Sequence, residues 1–336
     1  GAATIGTPGN GKNMLTVGAS ENYRPTWTDG CAVDASGADN AMDVIGFSSR
    51  GPAPGGRKKP ETIAPGTHIQ GTASTGPGYT GSSVCDQYQP AGQTTFAASS
   101  GTSHSCPATA GVTSLYHRWL STHYLSATPS PALMKAYVVA HTTYLTGVSA
   151  NDTLPSNSQG YGMPNLGMGF DDAVRYLVDQ SVIFGNSGET WTFNGSVADP
   201  SKPVRIALVY TDAPGAIGTS PQVNNLDLKV VINGATTYLG NVFTGQYSTT
   251  GGAADLANNY EGVFLPAGTS GALDITITGF NIAGDGIPGS GDATDQDFAL
   301  VCYNCAQFPD FTLTVNPTSV SVCAPTGANY PIAIGS

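Results

Sequence analysis

Hydrophobic and polar positions follow two different rhythms along this chain. Up to about residue 182 the apolar residues come in short runs or at helical spacing, and from about residue 183 they alternate with polar ones. In the first part, Met14 to Ala19 is a short apolar run of the kind that fills a buried strand, and Ile45 to Ser48 reads as another. Thr62 to Ile69 contains Ala-Pro-Gly, a turn that a central strand could not hold internally. Residues 107–120 predict a helix whose Ala108, Ala110, Gly111 and Val112 are small enough to pack closely on a sheet. A second helix is predicted over about 130–143, where Ser130 and Pro131 give a start signal and Leu133, Ala136, Tyr137, Ala140 and Tyr144 recur at helical spacing. Residues 71–100, rich in Gly, Ser and Thr around Tyr79, Tyr88 and Phe96, read as a long surface loop, either the rim of a site or simply solvated.

In the second part the alternating runs are Thr190 to Phe193, Val204 to Tyr210, Leu226 to Ile232, Gly262 to Leu265, Leu273 to Thr278 and Phe298 to Tyr303. Turns rich in Gly, Asn and Pro separate them, which predicts an all-β sandwich or jelly roll. The expected organisation is therefore an α/β segment over 1–182, a β-sandwich over 183–306, and the start of a further β module or linker over 307–336.

Composition narrows the class. Of 336 residues only 10% are charged, against 44 Gly and 23 Pro, which suits a loop-rich, β-containing secreted protein. The 23 carboxylates against 12 Lys and Arg leave a formal charge of -11, a field that repels phosphate backbones and argues against nucleic acid as a partner. No apolar run approaches the ~18 residues of a membrane span. Six cysteines are compatible with disulfides outside the cell; their spacing fixes no pairing and shows no zinc pattern. The chain opens on Gly1 rather than Met, so a processed or truncated polypeptide is expected.

The chemistry centres on GTSHSCPATAG, Gly101 to Gly111. A glycine two residues before Ser103 permits a sharp reversal, and Pro107 is read as a first-turn proline of the helix that follows. That arrangement puts Ser103 at a helix N-terminus, where free amides and the helix dipole favour negative charge. The plain alternative is that Ser103 is an ordinary helix N-cap.

GTSHSCPATAG resembles the active-site serine motif of subtilisin-like serine proteases (subtilases), usually Gly-Thr-Ser-Met-Ala-x-Pro. FSSRGP (47–52) with RKKPETIAPGTHI (57–69) is similar to the strand and loop ahead of that serine, and PGNGKNMLTVGAS (8–20) to the segment just after the family's oxyanion asparagine. The departures are His104, where Met is usual, and Cys106. ALVYTDAPG, NNLDLKV, NNYEGV and DQDFALV resemble the β-sandwich that follows the protease domain in some secreted bacterial subtilases. The resemblance implies the C-terminal half of a parallel-sheet α/β peptidase domain and a secreted serine endopeptidase acting on polypeptides. Ser103 would be the nucleophile, with its own N–H and Thr102 supporting the oxyanion. It also implies that Asp, His and the oxyanion Asn lie upstream of Gly1, in chain order Asp, His, Ser. This chain alone is then expected to be nearly inactive and to associate with an upstream fragment, since half a sheet would leave an edge strand and an apolar face uncovered.

The chain's own histidines are poor substitutes. His104 is adjacent to Ser103 on a helix start, where neighbouring side chains diverge by about 100°. His68 has no evident orienting carboxylate, His117, His123 and His141 read as structural or exposed, and Asn10 falls past the oxyanion position. No cofactor is required for the chemistry. A structural calcium is a candidate for Asp285, Asp292, Asp295 and Asp297 in a Gly-rich stretch, although a solvated acidic loop has the same composition. Asp212 and Asp227 are weaker candidates. A second class of function, a β-sandwich binding or adhesion module on an inactive protease remnant, is compatible with the same sequence. An esterase is disfavoured by the absence of Gly-x-Ser-x-Gly.

Overall fold

The computed structural model describes residues 2–124, 128–216, 221–308, 312–315 and 332–335. In the first part, β1 (Val17–Ser20) lies parallel to β2 (Thr62–Pro65), with Ala19 opposite Ala64. Pro65 closes β2, where its missing N–H costs no internal ladder bond. The predicted strand at Ile45 to Ser48 is instead a turn, closed by Ser48 N–H donating to Ile45 O (3.1 Å). The Ser48 hydroxyl accepts from Ala19 N (2.9 Å), so a side chain occupies the position a strand backbone would take beside β1.

Residues 71–100 are more ordered than their composition implies. β3 (Ile69–Thr72), β4 (Asp86–Tyr88) and β5 (Phe96–Ser99) form a three-stranded antiparallel sheet in the order β3-β5-β4. A disulfide, Cys31–Cys85, joins the lead into β4 to the loop after β1. The long helix α1 (Thr102–His123) starts well before the predicted residue 107, leaving Pro107 inside it rather than in its first turn. The second helix, α2 (Pro131–Ala140), begins as its sequence predicts. Pro131 opens it and the Ser130 hydroxyl accepts from Leu133 N at 3.0 Å, a side-chain cap. Two short strands, β6 (Thr142–Thr143) and β7 (Met163–Pro164), and one turn of helix, α3 (Leu166–Gly169), complete this part.

The alternating part folds as two antiparallel sheets. Their strands are β8 (Arg175–Phe184), β9 (Thr190–Val197), β10 (Val204–Val209), β11 (Asn225–Ile232), β12 (Thr236–Thr244), β13 (Tyr247–Thr250), β14 (Tyr260–Leu265), β15 (Ala272–Asn281), β16 (Gln296–Tyr303) and β17 (Cys305–Gln307). One sheet runs β14-β10-β16-β8 and the other β13-β12-β11-β15-β9-β17. β8 runs across residue 182. Of the 307–336 stretch, β18 (Thr312–Val315) pairs antiparallel with β19 (Ile332–Gly335), and most of the remainder lies outside the described residues.

The α/β parallel sheet expected for residues 1–182 is corrected by these ladders. Among the described residues only β1 and β2 form a parallel ladder, and every other one is antiparallel. The consecutive pairs β4–β5, β11–β12 and β12–β13 are joined by connections too short for the crossover that parallel neighbours need, so they return antiparallel.

The four-stranded sheet is the middle layer of the molecule. Ile206, Leu208, Leu300 and Cys302 face the six-stranded sheet in one core, while Ala207, Val209, Ala299 and Val301 on the same strands face α2 and the end of α1 in another. Burial on both faces explains why β10 and β16 are buried at every position, whereas β11 alternates between Leu226, Leu228, Val230 and Ile232 inside and half-buried or exposed Asp227 and Lys229 outside. On the helix side, Tyr116 and Leu120 of α1 meet Leu133 and Tyr137 of α2 over that sheet.

Candidate active site

The serine turn is built by close backbone approach. Gly101 N donates to Gly66 O (2.7 Å), bringing the end of the Ala-Pro-Gly stretch under the start of α1. A Cβ at Gly66 would lie 2.6 Å from the Ser105 hydroxyl and 2.7 Å from Ala19 Cβ, so only glycine fits. Ser100 locks the preceding residue. Its hydroxyl accepts from His68 N (2.9 Å) and donates to the Asp29 carboxylate.

Gly101 is the N-cap of α1, and it makes no side-chain cap. Ser103 is therefore inside the first turn, exposed, and free of the capping role that the plain reading gave it. The amides of Thr102 and Ser103 belong to a first turn, which has no intrahelical acceptors. Pro107 cannot donate to the Ser103 carbonyl four residues back. Thr102, Ser103, Cys106 and Pro107 form one side of a cleft of about 540 Å³, and Pro8, Gly9 and Met14–Val17 form the other. The facing wall is a fixed turn, with Gly11 N donating to Pro8 O (3.0 Å) and the Thr16 hydroxyl to Gly9 O (2.6 Å).

None of the five histidines hydrogen-bonds to Ser103. His104, the nearest in sequence, pairs through Nε2 with the Ser99 hydroxyl (2.5 Å). Both ring nitrogens of buried His68 face backbone carbonyls, Arg24 O at 3.1 Å and Val33 O at 3.0 Å. His123 stacks on Trp119, and His117 is exposed on α1. His141 is fully buried. Its Nδ1 lies 2.8 Å from Tyr137 O while Nε2 accepts from Arg175 Nε (3.3 Å), so it sits as the neutral Nδ1–H tautomer. Burial, and then the nearby Arg175, push its pKa down to about 3. Among the described residues, no side chain hydrogen-bonds to the Ser103 hydroxyl. Asn10 lies in the Pro8 turn with its carbonyl accepting from Arg57 (2.7 Å).

The four aspartates are not gathered into one carboxylate group. Asp295 is consumed locally, accepting from Ile287 N (3.0 Å) and the Ser290 hydroxyl (2.6 Å). Asp285 also accepts from Ile287 N (3.1 Å), Asp292 is exposed, and Asp297 accepts from Gln180 (2.8 Å). Asp212 proves to be an anchor between the two parts of the chain, accepting from Lys12 Nζ (2.6 Å), Val223 N (3.0 Å) and Asn224 N (2.8 Å). Asp227 accepts from Asn225 (2.9 Å) on β11. What the sequence reading missed is a different acidic group: Glu21, Asp39 and Asp43 each offer an oxygen within 4.8 Å of the others. Their separation in sequence left no motif to see. Two disulfides form, Cys31–Cys85 and Cys302–Cys305; Cys106 is unpaired in the serine cleft, and Cys323 lies outside the described residues.

Three relatives come from Dictyostelium discoideum. The Serine protease/ABC transporter B family protein tagD is 25% identical over 345 residues, covering 84% of this chain and 18% of that protein. The corresponding proteins tagA and tagB are 27% and 26% identical, covering 70% and 72% of this chain and 14% and 16% of theirs. The chain thus spans less than a fifth of the length of each of these relatives. Residues 1–162, which hold the Ser103 turn and both walls of its cleft, match the Subtilase family.

Proposed function

We propose that this chain carries the nucleophile of a secreted serine endopeptidase, with Ser103 as the attacking group. The observation that carries the proposal is an exposed serine in the first turn of a long helix, opening on a cleft within the residues that match the Subtilase family. The Ser103 oxygen attacks a peptide carbonyl, the carbon–nitrogen bond breaks, the amine leaves with a proton, and water then hydrolyses the acyl-enzyme. The N–H of Ser103 and Thr102 help hold the oxyanion at the positive end of α1. The base and its orienting carboxylate come from polypeptide outside this chain, a reading supported by the engagement of the buried histidines and of His104 elsewhere. Association with that segment also gives α1 a partner. Leu115 is 51% exposed, and Ala108, Ala110 and Gly111 are exposed beside it.

The test is covalent labelling with a fluorophosphonate in the presence of the segment bearing the base. Labelling at Ser103, abolished in Ser103→Ala, is expected. An unlabelled Ser103 with all segments assembled would leave the binding or adhesion reading in its place.

A further inference from the structure

The structure assigns a binding site for a hard divalent cation, of the calcium class, to the carboxylates of Glu21, Asp39 and Asp43. The fold creates this site from residues far apart in sequence. Glu21 follows β1 directly, and an isolated antiparallel bridge between Ser20 and Val44, with Glu21 N donating to Asp43 O (3.0 Å), brings Asp43 beside it. Asp39 comes from the turn after Ala35–Gly37. One oxygen from each lies within 4.8 Å of the others, the span that two oxygens bound to one calcium at about 2.4 Å can reach.

Two of the three carboxylates are buried, Glu21 at 6% and Asp43 at 8% exposure. The Glu21 Oε2 atom is buried and unpaired, although the backbone amides of Asn40 and Asp39 face the carboxylate. A buried carboxylate oxygen without a donor, next to a second buried carboxylate, is costly unless a positive charge joins them. Among the described residues, the ion pairs formed by Lys and Arg all lie elsewhere. Asp43 is held for this task, because its Oδ1 accepts from Val148 N (2.8 Å) and from Asn40 Nδ2 (2.5 Å). The chain packs tightly there. A Cβ on Gly147 would fall 1.8 Å from the same oxygen.

The ligands are oxygens only, with no histidine or cysteine, which selects a hard ion over zinc or copper. Three anionic ligands on irregular loops suit calcium, with water or carbonyl oxygens completing its shell, better than the strict octahedron of magnesium. Bound there, the ion ties the exit of β1 to the 39–43 loop and, through Asp43, to residue 148. β1 is the strand whose Ala19 lies under the start of α1, so the ion stiffens the floor beneath the serine turn.

Equilibrium dialysis of the EDTA-stripped full chain against calcium alone tests the site, with Glu21→Gln and Asp39→Asn as variants. Asp39 is exposed, so its near-isosteric amide keeps the fold, which near-UV circular dichroism verifies. Each folded variant is expected to lose about tenfold or more in affinity for one calcium ion. Each should also lose the part of the calcium-dependent rise in melting temperature that this ion supplies, while Asp292→Asn keeps both. Absence of bound calcium in the wild-type chain, or unchanged calcium binding in either folded variant, overturns the proposal.

Discussion

Single residues show most directly how local physics sets the site. Ser103 was legible in the sequence because a Gly-Thr-Ser turn before a small-residue helix is a local pattern; its exclusion from capping became visible only when α1 was seen to start at Thr102. Gly66 was not legible, since its requirement comes from Ser105 and Ala19 rather than from its neighbours. Gly66→Ala is expected to destabilise the chain by roughly 1–3 kcal/mol through overpacking, read as a lower urea midpoint with unchanged slope. His141 makes a prediction about acid. Its folded pKa of about 3 lies below the ordinary 6.5, so between those values the unfolded chain holds more protons and stability falls as pH falls. A His141→Gln variant, which can still donate to Tyr137 O and accept from Arg175, should show a flatter stability profile between about pH 6.5 and 3 than the wild-type chain. Equal slopes would contradict the assignment.

At the scale of elements, β9, β11 and β15 could be read because period two is a strong signal, β10 and β16 because they are short continuous apolar runs, and α2 because it carries both a cap and a periodic face. β8 was hidden by Asp179 and Gln180, which break its apolar pattern where its register with β16 shifts. β12 was missed although Asn233 and Gly234, both at positive φ (54° and 64°), mark the tight turn that leads into it. The sheet at 69–99 was masked by a composition that also suits loops. What pins α2 to β2 is a buried carboxylate shared by two lysines: Glu61 accepts from Lys59 (2.5 Å) and Lys135 (2.7 Å), and from Thr16 N (2.8 Å). Desolvation already lowers the Lys59 pKa to about 7, so stability should rise with pH between about 7 and the ordinary 10.5. Glu61→Gln removes the one compensating charge and is expected to cost about 3–5 kcal/mol in denaturant unfolding at neutral pH. A loss under about 1 kcal/mol would show that the network is not what joins these elements.

Across the whole molecule, the change in hydrophobic rhythm near residue 183 marks a change of architecture and not a gap between independent units. β8 crosses that point, and the sheet it belongs to is buried by the six-stranded sheet on one face and by α1 and α2 on the other. Lys12 and Asn13 reach to Asp212, fastening the cleft wall to the β part as well. The intact chain should therefore unfold in one transition, with far-ultraviolet circular dichroism and tyrosine fluorescence coinciding. Polypeptides divided at residue 182 should fail to fold separately and should bind apolar dyes. Two resolved transitions in the intact chain would refute this shared core.

Whether Ser103 is a nucleophile that takes its base from outside the chain is decided by fluorophosphonate labelling. Slow or no labelling of the isolated chain is expected, with rapid labelling at Ser103 once the base-bearing segment is supplied and none in Ser103→Ala. Labelling that proceeds equally in Ser103→Ala, or that never rises when the segments are combined, would contradict that role.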